Sequence, residues 1–178
     1  MTPKALFLDR DGVINVDHGY ASRPEQIDFI SDIFPLCKWF QQQGYIIIVI
    51  TNQSGIGRGY YTEDDFHQLS KWMQSEFEKR GIKVTEFFYC PHHPTKAKGK
   101  YLQSCACRKP NPGMLEQAQK KFDIDMSHSV MIGDNKTDML AASRAGVAHR
   151  YLYSSTPMAD DTNIGFKWVD SLNRIYPI

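Results

Sequence analysis

Tyr45-Ile46-Ile47-Ile48-Val49-Ile50 is the segment that most restricts what this chain can fold into. It is short, β-branched and apolar at both alternating sets of positions, so neither face of the strand can meet water. Strands of that kind lie inside parallel sheets with helices on both faces. Other runs fit beside it: Ala5–Leu8, Val84–Tyr89, Ser129–Ile132 and His149–Tyr153, with Lys167-Trp168-Val169 as an edge strand. Helical patterns separate them. Ile33, Leu36, Cys37 and Phe40 mark one helix face, which Gly44 ends. Thr62 with Asp65 reads as a capping box opening a helix through about Lys79, with Phe66, Leu69, Met73 and Phe77 inward. Asn111 and Pro112 read as N-cap and first helical position of a helix facing inward through Leu115, Ala118 and Phe122. A short helix carries Met139, Ala142 and Ala145 to Gly146, and a closing helix is expected at the end. This alternation predicts the α/β class: a doubly wound, Rossmann-like parallel sheet in a single domain over 1–178.

The 178 residues can bury a full core, and 42% hydrophobic with 23% charged residues is the balance of a globular protein. A net charge of +1 offers no broad pull toward nucleic acid or an anionic membrane. Only four clearly apolar residues precede Asp9, too few for a signal-peptide core or a membrane span. A cytoplasmic protein without membrane or nucleic-acid partners is expected, and a monomer, since nothing marks an interface.

The predicted sheet collects the reactive residues on one rim. Asp9-Arg10-Asp11-Gly12 leaves the first strand where open α/β sheets bind ligands. Two carboxylates so close suit a division of labour in which Asp9 attacks and Asp11 handles the proton. Asp134 and Asp138 follow a later strand. With Asp9 they could hold a hard, oxygen-seeking cation such as Mg²⁺, or they could simply cap their helix. Thr51-Asn52-Gln53-Ser54 can donate to phosphate oxygens from side chains and backbone. Lys109 supplies a point charge for a transferring phosphoryl group, and Arg108 a fork for a second anionic or hydroxylated part of the substrate. Phosphoryl transfer depends mainly on such positioning and charge neutralisation. Asp9 would become an aspartyl phosphate while Asp11 protonates the leaving alkoxide, and Asp11 would then deprotonate the water that cleaves it.

Cys90-Pro91-His92-His93 and Cys105-Ala106-Cys107 form a second group. Cys90, His92, Cys105 and Cys107 offer three thiolates and an imidazole, a closed tetrahedral set for structural Zn²⁺ over about 90–107, with His93 as the alternative imidazole. Cys37 reads as core. The lysines of Lys96–Lys100 read as a solvated turn, and His67 and His128 as ordinary surface residues.

Together these residues resemble the haloacid dehalogenase superfamily of aspartate-nucleophile phosphatases. Its motifs match Asp9-x-Asp11, Thr51, Lys109 and Gly133-Asp134-x-x-x-Asp138, in order. Asn15-Val16-Asp17-His18-Gly19-Tyr20, the Thr51–Gly55 run, Cys90–Pro94 and Cys105-x-Cys107-Arg108-Lys109-Pro110 look like its zinc-loop sugar bisphosphate phosphatases. The likeness spans roughly residues 4–155. It implies Asp9 as nucleophile, Asp11 as acid/base, and Thr51 and Lys109 as stabilisers of the phosphoryl group. Mg²⁺ would lie on Asp9, the Asp11 carbonyl and Asp134, and Zn²⁺ on the Cys/His set. Substrate would meet Asp17, His18, Gly19, Tyr20, Asn52, Gln53, Ser54 and Arg108. Asn135 stands where the family often has lysine, and is carried as a substrate contact in that place. The implied fold has no large cap domain, and the implied reaction removes the 7-phosphate of a heptose 1,7-bisphosphate. Histidinol-phosphate phosphatase, a relative with a similar zinc loop, is the second reading, and a non-catalytic zinc-stabilised binding module the third. A polynucleotide 3′-phosphatase fits poorly, because no basic strip interleaved with aromatics runs along the chain.

Overall fold

A computed structural model describes residues 1–159 and 161–177. Its sheet has six parallel strands in the order β3-β2-β1-β4-β5-β6. These are β1 (Lys4–Leu8), β2 (Tyr45–Asn52), β3 (Val84–Cys90), β4 (Val130–Gly133), β5 (His149–Tyr153) and β6 (Lys167–Val169). The helices are α1 (Ile33–Gln42), the short α2 (Ser54–Gly57), α3 (Glu63–Glu78), α4 (Gly113–Phe122) and α5 (Lys136–Arg144).

Strand alternation sorts the core into two layers. Leu6, Leu8, Ile47, Val49, Val130 and Ile132 face α1 and α3, meeting Leu36, Phe40, Leu69, Met73 and Phe77. Phe7, Ile48, Ile50 and Met131 face the other way, onto Met114, Leu115 and Ala118 of α4 and Met139 and Ala142 of α5. Both layers include buried residues of β2, as the apolar run predicts. The Thr62–Asp65 capping box forms as expected, each side chain bonded to the other residue's amide. Cys37 is fully buried.

Two sequence expectations shift. Pro112 is the N-cap of α4, and Gly113 its first residue. Asn111 instead donates its side-chain amide to the Cys105 carbonyl, which ties it to the preceding loop. The closing helix shrinks to a single 3₁₀ turn, Leu172–Arg174, close to the chain end and followed by Pro177. No helix among the described residues is long and apolar enough to cross a membrane.

The chain winds outward from β1 to β3, returns to β4 and winds the other way. That switch point lies between β1 and β4, which pair with Leu8 opposite Ile132. Crevices at such points are where doubly wound sheets bind ligands. Asp9 leaves β1 and Asp134 leaves β4, so neighbouring strands deliver both carboxylates to it. The β1–α1 connection carries only a 3₁₀ turn, Pro24–Gln26, in place of a cap domain.

Candidate active site

A cavity of about 520 Å³ opens over this crevice. Asp9, Asp134 and Asp138 present oxygens within 4.8 Å of one another at its floor. Lys109, 4% exposed, is the cation among them. Its Nζ donates to Asp9 Oδ1 at 3.0 Å and to the Ile50 carbonyl at 2.8 Å, and pairs with Asp138 Oδ1 at 2.7 Å. Burial alone would pull the Lys109 ammonium down, but Asp138 and Asp9 reverse that and hold it above the usual lysine range.

Asp138 is taken up structurally. Its Oδ2 accepts the Asp134 and Asn135 amides, both at 3.1 Å, which closes the α5 capping box. The cap reading therefore holds for Asp138, which also aims Lys109. Asp9 and Asp134 remain as a crowded pair. Burial first, then the Asp138 and Asp134 charges, push Asp9 well above the usual carboxylate range, with Lys109 opposing. Burial likewise pushes Asp134 up to about 6. Three carboxylates facing one ammonium leave an excess of negative charge in a buried site, and an oxygen-lined, anionic floor of this kind fits a divalent hard cation.

Gly12 makes room for that pair. It has φ +90°, and a Cβ there would lie 2.1 Å from Asp134 Oδ2. Gly12→Ala should therefore cost about 1–2 kcal/mol of stability from backbone conformation alone. It should also displace Asp134 and lower kcat/KM by roughly tenfold or more. Thermal melts and steady-state kinetics on the one variant check both effects, and a kcat/KM within twofold of wild type would refute the displacement.

Asp11 turns away from Asp9. Its carboxylate accepts from Arg10 Nε and Nη2, from Asn15 Nδ2 at 3.0 Å and from Gln53 Nε2 at 3.2 Å. Gln53 is set in turn by Tyr61, whose hydroxyl donates to Gln53 Oε1. Burial pushes the Tyr61 phenol up to about 12, so it stays a donor and fixes the amide with Nε2 toward Asp11 and, at 2.8 Å, Thr51 Oγ1. Arg10, Asn15 and Tyr61 carry no signal in the sequence that marks them as site residues. Arg10 was hidden inside the Asp-x-Asp motif, and Tyr61 sits in an unremarkable Gly-Tyr-Tyr turn.

The expected substrate contacts divide. Asp17, Gly19, Tyr20, Ser54, Arg108 and Asn135 line the cavity. Tyr20 stacks edge-on against the exposed Tyr60 at 4.8 Å. Asn52 also lines it, but its amide clasps the Lys109 backbone, accepting from N at 3.0 Å and donating to O at 3.2 Å. His18 is placed outside the lining, with its ring paired to Asp28. Thr51, 1% exposed, lies just beneath the floor, and Asn135 caps α5 by accepting the Thr137 amide.

Cys90, His92, Cys105 and Cys107 converge beside the cavity, with ligand atoms within 4.8 Å of one another. His92 Nδ1 lies 3.6 Å from Cys90 Sγ and 3.4 Å from Cys107 Sγ. Hydrogen bonding with Cys90, then with Cys105 and His92, pulls the Cys107 thiol down to about 5, while sharing with Cys107 pushes Cys90 up. A thiolate-rich S₃N cluster suits Zn²⁺. His93 is not in it, because its Nδ1 accepts the Thr95 and Lys96 amides at 3.1 and 2.9 Å.

The doubly wound sheet, the carboxylate pair at its switch point and the buried lysine define a haloacid dehalogenase-like hydrolase. The HAD-hydrolase-like family model matches residues 106–155. The D-glycero-beta-D-manno-heptose-1,7-bisphosphate 7-phosphatase of Pasteurella multocida is 45% identical over 159 residues, covering 89% of this chain and 86% of that protein. The alpha counterpart of Campylobacter jejuni is 44% identical over 167 residues, covering 94% and 92%. Among solved structures, the D,D-heptose 1,7-bisphosphate phosphatase of B. bronchiseptica, complexed with magnesium and phosphate, superposes with a TM-score of 0.79 at 26% identity, covering 97% and 95%. A HAD-like protein of Mesorhizobium loti gives a TM-score of 0.89 at 32% identity, covering 98% and 84%. This chain belongs to the heptose-1,7-bisphosphate 7-phosphatase family.

Proposed function

We propose that this protein removes the 7-phosphate of D-glycero-D-manno-heptose 1,7-bisphosphate, leaving heptose 1-phosphate for ADP-heptose and lipopolysaccharide core synthesis. The carrying observation is the Asp9–Lys109–Asp134 floor of a cavity whose wall holds Arg108, in a chain 45% identical to such an enzyme. Asp9 attacks phosphorus, the bond to the sugar oxygen breaks, and Asp11 delivers its proton to that oxygen. Asp11 then takes a proton from the water that cleaves the aspartyl phosphate and restores Asp9. Lys109, aimed by Asp138 and clasped through its backbone by Asn52, and the Thr51 hydroxyl meet the phosphoryl oxygens. A Mg²⁺ ion bound by Asp9, Asp134 and the Asp11 carbonyl would offset charge on the phosphoryl group and keep Asp9 ionised. Arg108, with Asp17, Gly19, Tyr20, Ser54 and Asn135, contacts the rest of the sugar bisphosphate. The Cys90, His92, Cys105 and Cys107 set holds a structural Zn²⁺. The chain works as one catalytic domain, a cytoplasmic monomer.

Mg²⁺-dependent phosphate release tests the reading, with both heptose 1,7-bisphosphate anomers and histidinol phosphate as substrates. A preference for one heptose anomer of about 100-fold in kcat/KM, or about 2.7 kcal/mol of transition-state discrimination, is the expected result. Preference for histidinol phosphate would retain the chemistry and overturn the substrate.

A further inference from the structure

Arg10 is fully buried beside the cavity floor, and no motif accounts for it. Its fork grips one carboxylate: Nε lies 3.1 Å from Asp11 Oδ1, and Nη2 lies 3.0 Å from both Asp11 oxygens. The same Nη2 donates at 2.9 Å to the carbonyl of Ala21, directly after Asp17, Gly19 and Tyr20, which line the cavity. Arg10 Nη1 is buried with no partner among the described residues. A buried guanidinium with one donor unused is costly to keep for stability alone. Its own carbonyl also collects the amides of Val13, Ile14 and Asn15, so the turn carrying Gly12 closes on it. The residue thus joins two things that must act together, the proton-handling carboxylate and the loop that meets the substrate.

We infer that Arg10 is a positioning residue that orients Asp11 for proton transfer and couples that orientation, through the Ala21 carbonyl, to the substrate-facing Asp17–Ala21 loop. It touches neither substrate nor phosphorus. Through Asp11 it acts on two steps: the break of the bond from phosphorus to the leaving oxygen, when the Asp11 proton passes to that oxygen, and the later attack of water, which is the same for every substrate; kcat/KM reads only the first. Lysine in its place keeps the charge but loses the fork that holds a carboxylate in one plane. A point charge leaves Asp11 free to rotate.

This inference rests on the phosphatase reading above, and leaving-group dependence tests it separately. A sugar phosphate leaves as an alkoxide that must be protonated, whereas p-nitrophenolate leaves without a proton. Wild type and Arg10→Lys are assayed on a sugar phosphate and on p-nitrophenyl phosphate, with thermal melts alongside. The expected result is a loss of tenfold or more in kcat/KM on the sugar phosphate, with a loss under threefold in kcat/KM on p-nitrophenyl phosphate. The ratio of the two is insensitive to how much of the variant is folded. Any smaller selectivity, including equal losses or none, would overturn the inference. If Arg10→Lys does not fold, Gln53→Met removes the donor on the other side of Asp11, and the same selectivity is required of it. A wild type inert toward both substrates would overturn the phosphatase reading itself.

Discussion

Asp9→Asn is expected to abolish phosphate release, by about a thousandfold or more in kcat, without weakening the metal-free fold. The first half follows from the chemistry. An amide cannot form the acyl phosphate, and about a thousandfold corresponds to roughly 4 kcal/mol of transition-state stabilisation. The second half follows from the site's electrostatics. Burial and the Asp138 and Asp134 charges raise Asp9 well above the usual carboxylate range. A carboxyl group raised in this way holds its proton more tightly in the fold than in the unfolded chain. Stability is therefore lost as pH climbs from the unfolded pKa through the folded one, and ionised Asp9 is a burden at neutral pH. Asparagine removes that burden, and Lys109 keeps Asp138 and the Ile50 carbonyl. Added Mg²⁺ should raise the melting temperature of wild type and much less that of Asp9→Asn. A melt of Asp9→Asn in chelator at pH 7 that falls several degrees below wild type would show the electrostatic account to be wrong. Residual turnover above a few per cent would remove Asp9 as nucleophile.

The contrast between Asp9 and Asp11 shows what sequence could convey. Two aspartates after an apolar run state that a site exists, because strand ends at a switch point are where ligands bind. The strands themselves were legible for the same reason: β2 is apolar on both faces, and its neighbours share short runs bounded by helical periodicity. Orientation was not legible. Asp9 faces Lys109 and Asp134, whereas Asp11 faces Arg10, Asn15 and Gln53. That division is set by Gly12 turning the chain and by a relay from Tyr61 across the sequence. Asn52 and Gln53 were readable as polar residues at a strand end, hence as substrate contacts. In the fold their amides are engaged with the Lys109 backbone and with Tyr61, Thr51 and Asp11. Asp138 was readable both as a cap and as part of a charged cluster, and it is both. Helix ends in loops were least legible. Asn111 had the right chemistry for an N-cap, but a carbonyl from the cysteine loop captured it.

Removing one of the proposed zinc ligands should damage this protein more broadly than withdrawing Mg²⁺. Cys90 closes β3 inside the core, while Cys105 and Cys107 lie just before Arg108 and Lys109. Their sulfurs stand 2.6 to 3.4 Å apart, well beyond the ~2.05 Å of a disulfide. Without an ion the cluster holds only part of its charge, because the hydrogen bonding that pulls Cys107 down pushes Cys90 up. The proposed tetrahedral ion would let all three thiols ionise and would cross-link β3 to the segment that carries Lys109, and such sites contribute ~10–16 kcal/mol in small zinc peptides. The ion would tie one strand end to one loop of a chain that has two core layers of its own, so only part of that energy is at stake here. For a chain of this length 1 kcal/mol shifts the melting temperature by about 2–4 °C, so Cys107→Ser should melt roughly 10 °C or more below wild type. Metal analysis should find about one zinc per wild-type chain and a clear deficit in the variant. Activity should fall with the melt, because the segment that carries Lys109 to Asp9 and Asp138 loses its anchor two residues upstream. Mg²⁺ withdrawal should instead stop turnover while moving the melt by only a few degrees, roughly the effect of a ligand near saturation. A Cys107→Ser protein with wild-type melting and no missing zinc would leave the cluster as packed thiols. Wild-type turnover in a zinc-free, destabilised variant would instead separate the loop from the chemistry and leave Asn52 and Asp138 to aim Lys109.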